Sequence, residues 1–135
     1  MAGYSGAPLV KKLGLKDGFR CYALHAPDGY ARLLGKLPPG ARFESRLGTD
    51  LNFVHGFFAD AKSLRAAFGK LKASIRPEGM LWISWRKGKV SDISENDVRE
   101  LALAAGLVDV KVCAIDETWS GLKLVYRLKD RPLAK

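Results

Sequence analysis

Apolar and polar positions along this chain follow two different periods. Residues 51–58 (LNFVHGFF) and 80–85 (MLWISW) are almost continuously apolar, which is typical of strands that are covered on both faces of a sheet. Between them, residues 61–75 place apolar side chains at helical spacing. These patterns predict a strand, a helix and a second strand in that order.

Capping and turn residues define where the predicted elements begin and end. Asp60 is placed to cap the helix over residues 61–75, and Ser94 with Asp97 resembles a capping box for a later helix that ends at Gly106. The RPEG segment at 76–79 is predicted to be a turn into the second buried strand. A short first helix is predicted within residues 5–14, with Ser5 as a candidate cap.

The C-terminal third predicts a β-hairpin. Residues 107–115 alternate Val108, Val110 and Val112 with polar side chains, so this strand is expected to bury one face. Residues 122–128 form the second strand, too close in sequence for any connection but a hairpin, whose tip would carry Trp119 and Ser120 and turn at Gly121. Earlier strands are expected at 19–24 and around 41–45, with a helix at 29–35 between them.

Strands that alternate with helices predict a mostly parallel sheet with helices on both faces. The expected fold is therefore a single α/β domain over residues 1–135, a three-layer Rossmann-like sandwich of about six strands with an antiparallel hairpin at its C-terminal end. A length of 135 residues fits one domain.

Composition also predicts where the protein is located. No apolar run approaches the roughly 18–20 residues that span a bilayer, and the N-terminal residues lack the apolar core of a secretory signal, so a cytoplasmic protein is expected. Cys21 and Cys113 lie in apolar, strand-like runs, where thiols usually act as small buried side chains.

Charge is strongly positive and unevenly distributed. The net charge is +9, and residues 62–89 contain eight basic side chains against one acidic, whereas residues 92–117 contain seven acidic against two basic. A solvated helix surface is one interpretation, and a surface for an anionic partner is the other. In the second case a nucleic acid would contact a basic stripe on the helix over residues 61–75, formed by Lys62, Arg65, Lys72 and Arg76.

From residue 60 onward the chain resembles the second half of a class I S-adenosylmethionine-dependent methyltransferase. The resemblance rests on the long helix, the phrase LKASIRPEGMLWIS, the helix ending LALAAGL and the C-terminal hairpin. It implies a methyltransferase-like fold. The first half departs from that pattern: FRCYALHAPDGY supplies only Gly29 where the family has a glycine-rich loop, and Glu44 is the one stand-in for the acid that binds the ribose. One strand-helix unit is also expected to be missing, so the fold would be truncated and degenerate.

A second resemblance covers nearly the whole chain. AGYSGAPLVKKLG, LWISWRKGKVSDISENDVRE and AGLVDVKVCAIDETWSGLKLV together are similar to a family of small bacterial proteins described only as a domain of unknown function. This resemblance implies a cytoplasmic bacterial protein. The family has no established activity that the resemblance could imply for this chain.

Candidate chemistry is expected at the carboxyl ends of the parallel strands. Ligands bind open sheets of this kind where the strand order reverses, which in a methyltransferase-like order is between the first and third strands. The turn HAPDGY, the segment HGFFAD and the ends of the later strands meet there. The predicted ligand-binding residues are His25, Asp28, Gly29, Trp85, Lys87, Asp116 and Trp119.

Several functions are compatible with these residues. The preferred hypothesis is a non-catalytic protein that binds a small anionic ligand or a protein partner at this edge and needs no cofactor. A divergent methyltransferase that uses S-adenosylmethionine and a nucleic-acid-binding protein are the alternatives. Structural roles are the simpler interpretation for Trp119, which would pack the hairpin, and for Asp116, which would cap it or pair with a lysine. An acid-base role for His25 or His55, or a metal site with Cys21, is a minor alternative, and no metal is expected.

Overall fold

Six strands, four α-helices and one short 3₁₀ helix make up the computed structural model, which describes residues 8–88 and 91–130. Ser5 and Lys89 lie outside these ranges. Within them, no helix is long and apolar enough to cross a membrane. The helices are α1 (Leu9–Leu13), α2 (Tyr30–Leu34), α3 (Ala61–Ser74) and α4 (Glu95–Ala104), and the 3₁₀ helix is Leu128–Asp130. The strands are β1 (Arg20–Leu24), β2 (Arg42–Phe43), β3 (Leu51–Phe58), β4 (Ile75–Arg86), β5 (Leu107–Ala114) and β6 (Trp119–Tyr126).

The strands form a single sheet in the order β2-β1-β3-β4-β6-β5. The first four strands in this order are parallel to one another, and β6 and β5 form the antiparallel hairpin. The predicted mixed sheet of about six strands is therefore confirmed. From β1 the chain passes outward to β2, and from β3 it passes the other way to β4, so the strand order reverses between β1 and β3.

Helices cover both faces of the sheet. On the face that we call the α3 face, α3 and α4 pack against β3, β4 and β6, with Leu71, Val98 and Leu122 among the buried side chains. On the opposite face, the α1 face, α1 and α2 pack against Phe53 and Trp82. Because alternate side chains of a strand point to opposite faces, the two apolar runs recognised in the sequence contribute to both cores.

The predicted caps are present. Asp60 accepts a hydrogen bond of 2.8 Å from the Ser63 backbone N–H and so begins α3. Ser94 and Asp97 form a reciprocal capping box at α4. Gly14 ends α1 in the left-handed conformation with φ 89°, which glycine adopts without a steric penalty.

The RPEG segment differs from the prediction because it belongs to β4. Leu51 pairs with Ile75 and Phe53 pairs with Met80, so four residues of β4 face a single residue of β3 in an irregular bulge. A Cβ atom at Gly79 would lie 2.8 Å from the Leu51 carbonyl oxygen, closer than real contacts of this kind. Glycine is needed here because two backbones approach closely rather than because the chain turns.

The hairpin also differs from the prediction in two respects. β6 begins at Trp119, so Trp119, Ser120 and Gly121 are strand residues rather than the tip. Gly121 is opposite Ser84 of β4, whose Oγ would lie 3.0 Å from an added Cβ, and this close packing replaces the expected role in a turn.

The expected one-sided burial of the β5 valines is wrong. Val110 and Val112 are each 54% exposed. β5 is an edge strand, and its register with β6 shifts between Asp109 and Lys111, which interrupts the strict alternation of faces.

Candidate functional site

A crevice of about 550 Å³ opens at the carboxyl ends of β1 and β3, where the strand order reverses. One wall is the turn that follows β1, the second is the end of β3 with the first turn of α3, and the third comes from the end of β4 and the start of β6. The lining residues are His25, Ala26, Pro27, Asp28, Phe57, Phe58, Ala59, Asp60, Ser63, Arg86 and Trp119.

Aromatic rings form much of this crevice. The Phe57 and Trp119 rings meet edge to face with their centroids 5.1 Å apart. The Arg86 guanidinium lies 5.6 Å from the centre of the Trp119 ring, a cation–π contact. His25 and Phe58 form a looser edge-to-face pair at 6.4 Å. Phe57, Phe58 and Trp119 are 1%, 2% and 8% exposed, so the crevice presents a small part of these rings beside a positive charge.

The charged side chains that line the crevice are mainly acidic. Asp28 is exposed, and Asp60 is engaged at the start of α3, where hydrogen bonds from the Ser63 backbone N–H and hydroxyl hold the pKa of its carboxyl below the usual range. Arg86 is the only Lys or Arg among the lining residues of the described chain. Two carboxylates against one guanidinium suit a ligand that carries a positive charge better than a simple anion.

The turn after β1 has an unusual backbone. His25 has φ 57°, in the left-handed region that side chains other than glycine rarely adopt. Gly29 has φ 86° and precedes α2, and no atom lies within 4 Å of the position that a Cβ would take there. The backbone at Gly29 is thus open to approach by another molecule.

A buried polar network lies below the crevice. His55 Nδ1 is 2.8 Å from the Tyr30 hydroxyl, and His55 Nε2 is 2.7 Å from the Ser84 hydroxyl. Burial lowers the pKa of His55 to about 3, so its imidazole is neutral at pH 7. The Phe57 ring stacks on the imidazole with a centroid distance of 4.1 Å. This network ties α2 to β3 and β4, and it touches the crevice through Phe57, one of the lining residues.

The structure brings together three of the seven predicted ligand-binding residues, because His25, Asp28 and Trp119 all line the crevice. Gly29 is the residue between Asp28 and α2. Trp85 does not line it: its side chain is only 6% exposed and packs in the core of the α3 face, as the alternation of faces along β4 requires.

Lys87 and Asp116 lie at the same edge of the sheet but do not line the crevice. The Lys87 side chain is exposed, and its backbone N–H donates to the Thr118 carbonyl oxygen at 2.9 Å. Asp116 Oδ1 accepts 2.8 Å hydrogen bonds from the N–H groups of Thr118 and Trp119. Asp116 therefore closes the hairpin, which is the structural alternative considered from the sequence.

Glu44 is not free to bind a ribose. Its carboxylate accepts hydrogen bonds from Arg20 Nε at 2.6 Å and from Arg20 Nη2 at 3.1 Å. The hydrogen bond to Arg20 lowers the pKa of the Glu44 carboxyl. Because both oxygens are bound, this residue forms an ion pair at the edge of the sheet instead of a ligand contact.

The basic stripe of α3 is divided. Lys62 and Arg65 are exposed. The Lys72 ammonium lies 5.7 Å from the centre of the Tyr126 ring, and Arg76 Nε lies 2.9 Å from a Glu78 carboxylate oxygen. These four residues consequently do not present a single surface of free cations.

Ser63 lines the crevice without having been predicted from the sequence, and Arg86, expected at this edge of the sheet, lines it although it was not among the predicted ligand-binding residues. Their signals were present: Ser63 is the third residue after the helix cap Asp60, and Arg86 ends the apolar run 80–85. The metal alternative finds no support, since residues 8–88 and 91–130 contain no group of three or more His, Cys, Asp or Glu side chains that could hold a metal ion.

Comparison with known proteins shows what the fold is. No protein-family model matches the chain, and no curated protein matches it; the resemblance to a bacterial family of unknown function therefore stays a prediction. Solved structures do match. An S-adenosylmethionine-dependent methyltransferase from Aquifex aeolicus is 15% identical, with a TM-score of 0.59 over 86% of each chain. Magnesium protoporphyrin IX methyltransferase from Synechocystis PCC 6803, solved with bound S-adenosylmethionine, is 14% identical, with a TM-score of 0.57 over 88% of this chain and 74% of that one.

A third match is a TehB-like methyltransferase from Corynebacterium glutamicum, which is 12% identical, with a TM-score of 0.59 over 93% of this chain and 91% of that one. At such low identities the similarity concerns the fold alone. The chain has the Rossmann-like α/β fold of S-adenosylmethionine-dependent methyltransferases.

Proposed function

We propose that this protein binds S-adenosylmethionine in the crevice at the carboxyl ends of β1 and β3. The observation that carries the proposal is the pairing of aromatic rings with unequal charge, two carboxylates and one guanidinium, at the point where the strand order reverses. In the similar Synechocystis enzyme the same fold holds S-adenosylmethionine.

The chemistry of S-adenosylmethionine matches these side chains. The molecule carries a sulfonium cation and a zwitterionic amino acid. Carboxylates and ring faces attract an organic cation, and a guanidinium binds a carboxylate. Asp28 would face the sulfonium and Arg86 the ligand carboxylate, with Trp119 as the ring beside them.

A small anion fits the crevice less well. Asp28 is an exposed lining residue and would repel a phosphate, and Arg86 is the only Lys or Arg among the described lining residues to attract one. The charge balance therefore favours a zwitterion with an additional positive charge over the simple anionic ligand expected from the sequence.

The crevice residues match only part of the S-adenosylmethionine molecule. The open backbone at Gly29 allows close approach, but Glu44 is held by Arg20 and offers no free carboxylate to the ribose. We therefore place recognition on the methionine portion, and we propose binding without assigning any residue to a methyl acceptor.

Isothermal titration calorimetry with S-adenosylmethionine and S-adenosylhomocysteine tests the proposal. The demethylated product has a neutral thioether in place of the sulfonium, so it is expected to bind more weakly. Asp28→Asn removes the exposed carboxylate and should lower the affinity for S-adenosylmethionine by about fivefold, or about 1 kcal/mol of binding free energy. The affinity for S-adenosylhomocysteine should change little. Arg65→Gln, an exposed α3 residue outside the crevice, is the matched control and should leave both affinities unchanged.

Two results would contradict the proposal. One is the absence of heat with S-adenosylmethionine at millimolar concentration. The other is tighter binding of inorganic phosphate or ATP together with a gain in their affinity in Asp28→Asn, which would instead support an anionic ligand.

A further inference from the structure

An open groove of about 720 Å³ lies beside α1. One wall is α1 with the residues that follow it, and the other is the segment 36–39 between α2 and β2. Among the described residues, none lines both this groove and the crevice. Its volume lies within the range of roughly 300–1,000 Å³ that is usual for small-molecule sites. We call it the α1 groove.

The apolar part of the α1 groove is entirely aliphatic in the described part of the chain. It consists of Val10, Leu15, Leu37, Pro38 and Pro39. Val10 and Leu15 are 7% and 6% exposed, so most of the apolar surface comes from the half-buried Leu37 and Pro38 and the exposed Pro39. Because no described aromatic ring lines the groove, it has no platform on which the base of a nucleotide could stack. An alkyl chain is the apolar group that suits such a lining.

Three lysines and one aspartate make up the rest of the lining. Lys11, Lys16 and Lys36 are exposed, and none of them forms an ion pair within residues 8–88 and 91–130. Asp17 is also exposed and is not paired with any of these lysines. Three ammonium groups against one carboxylate give the lining an excess of positive charge, which favours an anionic ligand.

Backbone contacts hold the two walls of the α1 groove together. The Gly18 N–H, in the segment after α1, donates to the Pro39 carbonyl oxygen at 2.9 Å. The same glycine lies close to Gly40, since a Cβ atom at Gly40 would be 3.4 Å from Gly18 Cα. The Pro38 carbonyl oxygen accepts from the Ala41 N–H at 3.0 Å, and the proline rings fix φ in this wall. A groove whose walls are already joined loses less conformational freedom when a ligand binds.

We propose that the α1 groove binds the monomeric anion of a medium-chain fatty acid. Its alkyl chain lies against Leu37, Pro38 and Pro39, and its carboxylate accepts hydrogen bonds from the lysine ammonium groups. The methylene stems of the lysines add to the apolar surface that the chain can cover. Charge complementarity favours this occupant over an organic cation, and the aliphatic lining favours it over a nucleotide. This binding goes beyond the proposed function and does not depend on it.

An NMR titration of the isotope-labelled protein with octanoate tests the proposal. Shifts are expected for the backbone amides of Lys11 and Leu37, and not for those of His25 and Asp28 in the crevice. Across hexanoate, octanoate and decanoate, the affinity should rise by up to about fourfold for each added methylene, because each one buries more apolar surface. Octylammonium has the same chain with the opposite charge and should bind more weakly.

Paired substitutions test the part played by charge. Lys11→Gln/Lys36→Gln should lower the affinity for octanoate by about fivefold, because each exposed charge pair contributes roughly a factor of two to three. The affinity for octylammonium should not fall. The matched control is Arg65→Gln/Lys70→Gln, which removes the same charge from exposed α3 positions outside the groove and should leave octanoate binding unchanged. The melting temperature will show that each variant is folded.

Several results would overturn the proposal. No shifts with octanoate at millimolar concentration, an affinity independent of chain length, or equal binding of octylammonium would each do so. An equal loss of affinity in the α3 control would also do so, as would binding of anionic phospholipid vesicles without binding of monomeric octanoate. Saturation with S-adenosylmethionine should leave the octanoate affinity unchanged because the two sites share no described lining residue, and competition between the two ligands would contradict this location. Octanoate binding is measured without S-adenosylmethionine, so failure of one proposal is distinguishable from failure of the other.

Discussion

Gly79 lies where the backbones of β3 and β4 come closest. A methyl group there would meet the carbonyl oxygens of Leu51, Asn52 and Arg76 at 2.8, 3.1 and 3.1 Å. Backbone atoms cannot move aside as a flexible side chain can. We expect Gly79→Ala to lower the free energy of unfolding by about 1–3 kcal/mol, measured by urea denaturation.

Gly69 supplies the matched control, since it is exposed within α3 and has no atom within 4 Å of an added Cβ. Gly69→Ala should raise the free energy of unfolding by about 0.5–1 kcal/mol because alanine favours a helix. Equal effects of the same sign at the two positions would show that the close approach at Gly79 has no energetic consequence.

At the scale of elements, the hairpin depends on one carboxylate. Asp116 accepts hydrogen bonds from two consecutive backbone N–H groups, those of Thr118 and Trp119. Asp116→Ala leaves both without this acceptor and should cost about 1–2 kcal/mol of stability, whereas Asp116→Asn retains an acceptor oxygen and should cost less. Thermal unfolding followed by tryptophan fluorescence measures both.

Glu117, exposed at the same tip, is the control for this prediction. Glu117→Ala should change stability by less than about 0.5 kcal/mol. If Asp116→Ala behaved in the same way, the hydrogen bonds would not be what closes the turn.

The sequence predicted elements best where the local signal was strong. The strand at 51–58, the cap at Asp60 and the capping box at Ser94 are present as expected, because periodicity and capping depend on nearby residues. The β4 bulge and the register shift in β5 depend on which strand lies opposite, and no local pattern contains that information.

Sequence-based prediction of the crevice meets the same limit, because local patterns do not show which side chains the fold brings together. Its location follows from the strand order, and His25, Asp28 and Trp119 were identified from it. Trp85 was misplaced because adjacent strand residues point to opposite faces, and the end of a strand does not reveal which side chain faces the site. The contacts of His55 with Tyr30 and Ser84 join residues 25 and 29 positions apart, which only the fold brings together.

Across the whole molecule, the two faces of the sheet differ in what they bury. The α3 face is closed by two capped helices over an apolar core. The α1 face carries the buried His55 network. The first turn of α3 lines the crevice, whereas no residue of α4 does, so substitutions in α4 should alter stability with little effect on ligand binding.

His55 is expected to make the stability of the protein depend on pH. Its pKa is about 3 in the folded protein, because of burial, against an ordinary value of 6.5. The unfolded chain therefore binds a proton at His55 that the folded protein excludes. Its contribution to stability is fully present above pH 6.5 and is lost as the pH falls toward 3, at up to about 1.4 kcal/mol per pH unit. We expect about 2 kcal/mol to be lost from this group between pH 7 and pH 5, above the range in which most carboxylates titrate.

Urea denaturation at pH 7 and pH 5 measures this loss, and the two histidines of the chain provide an internal comparison. His25 is exposed, so His25→Gln should retain the full difference between the two pH values. His55→Gln removes the titrating group, so this less stable variant should lose little further stability between pH 7 and pH 5. An imidazole of His55 that titrates near pH 6 in the folded protein, followed by NMR, would contradict the burial of the network. It would also imply that water reaches the floor of the crevice, since Phe57, which lines the crevice, stacks directly on that ring.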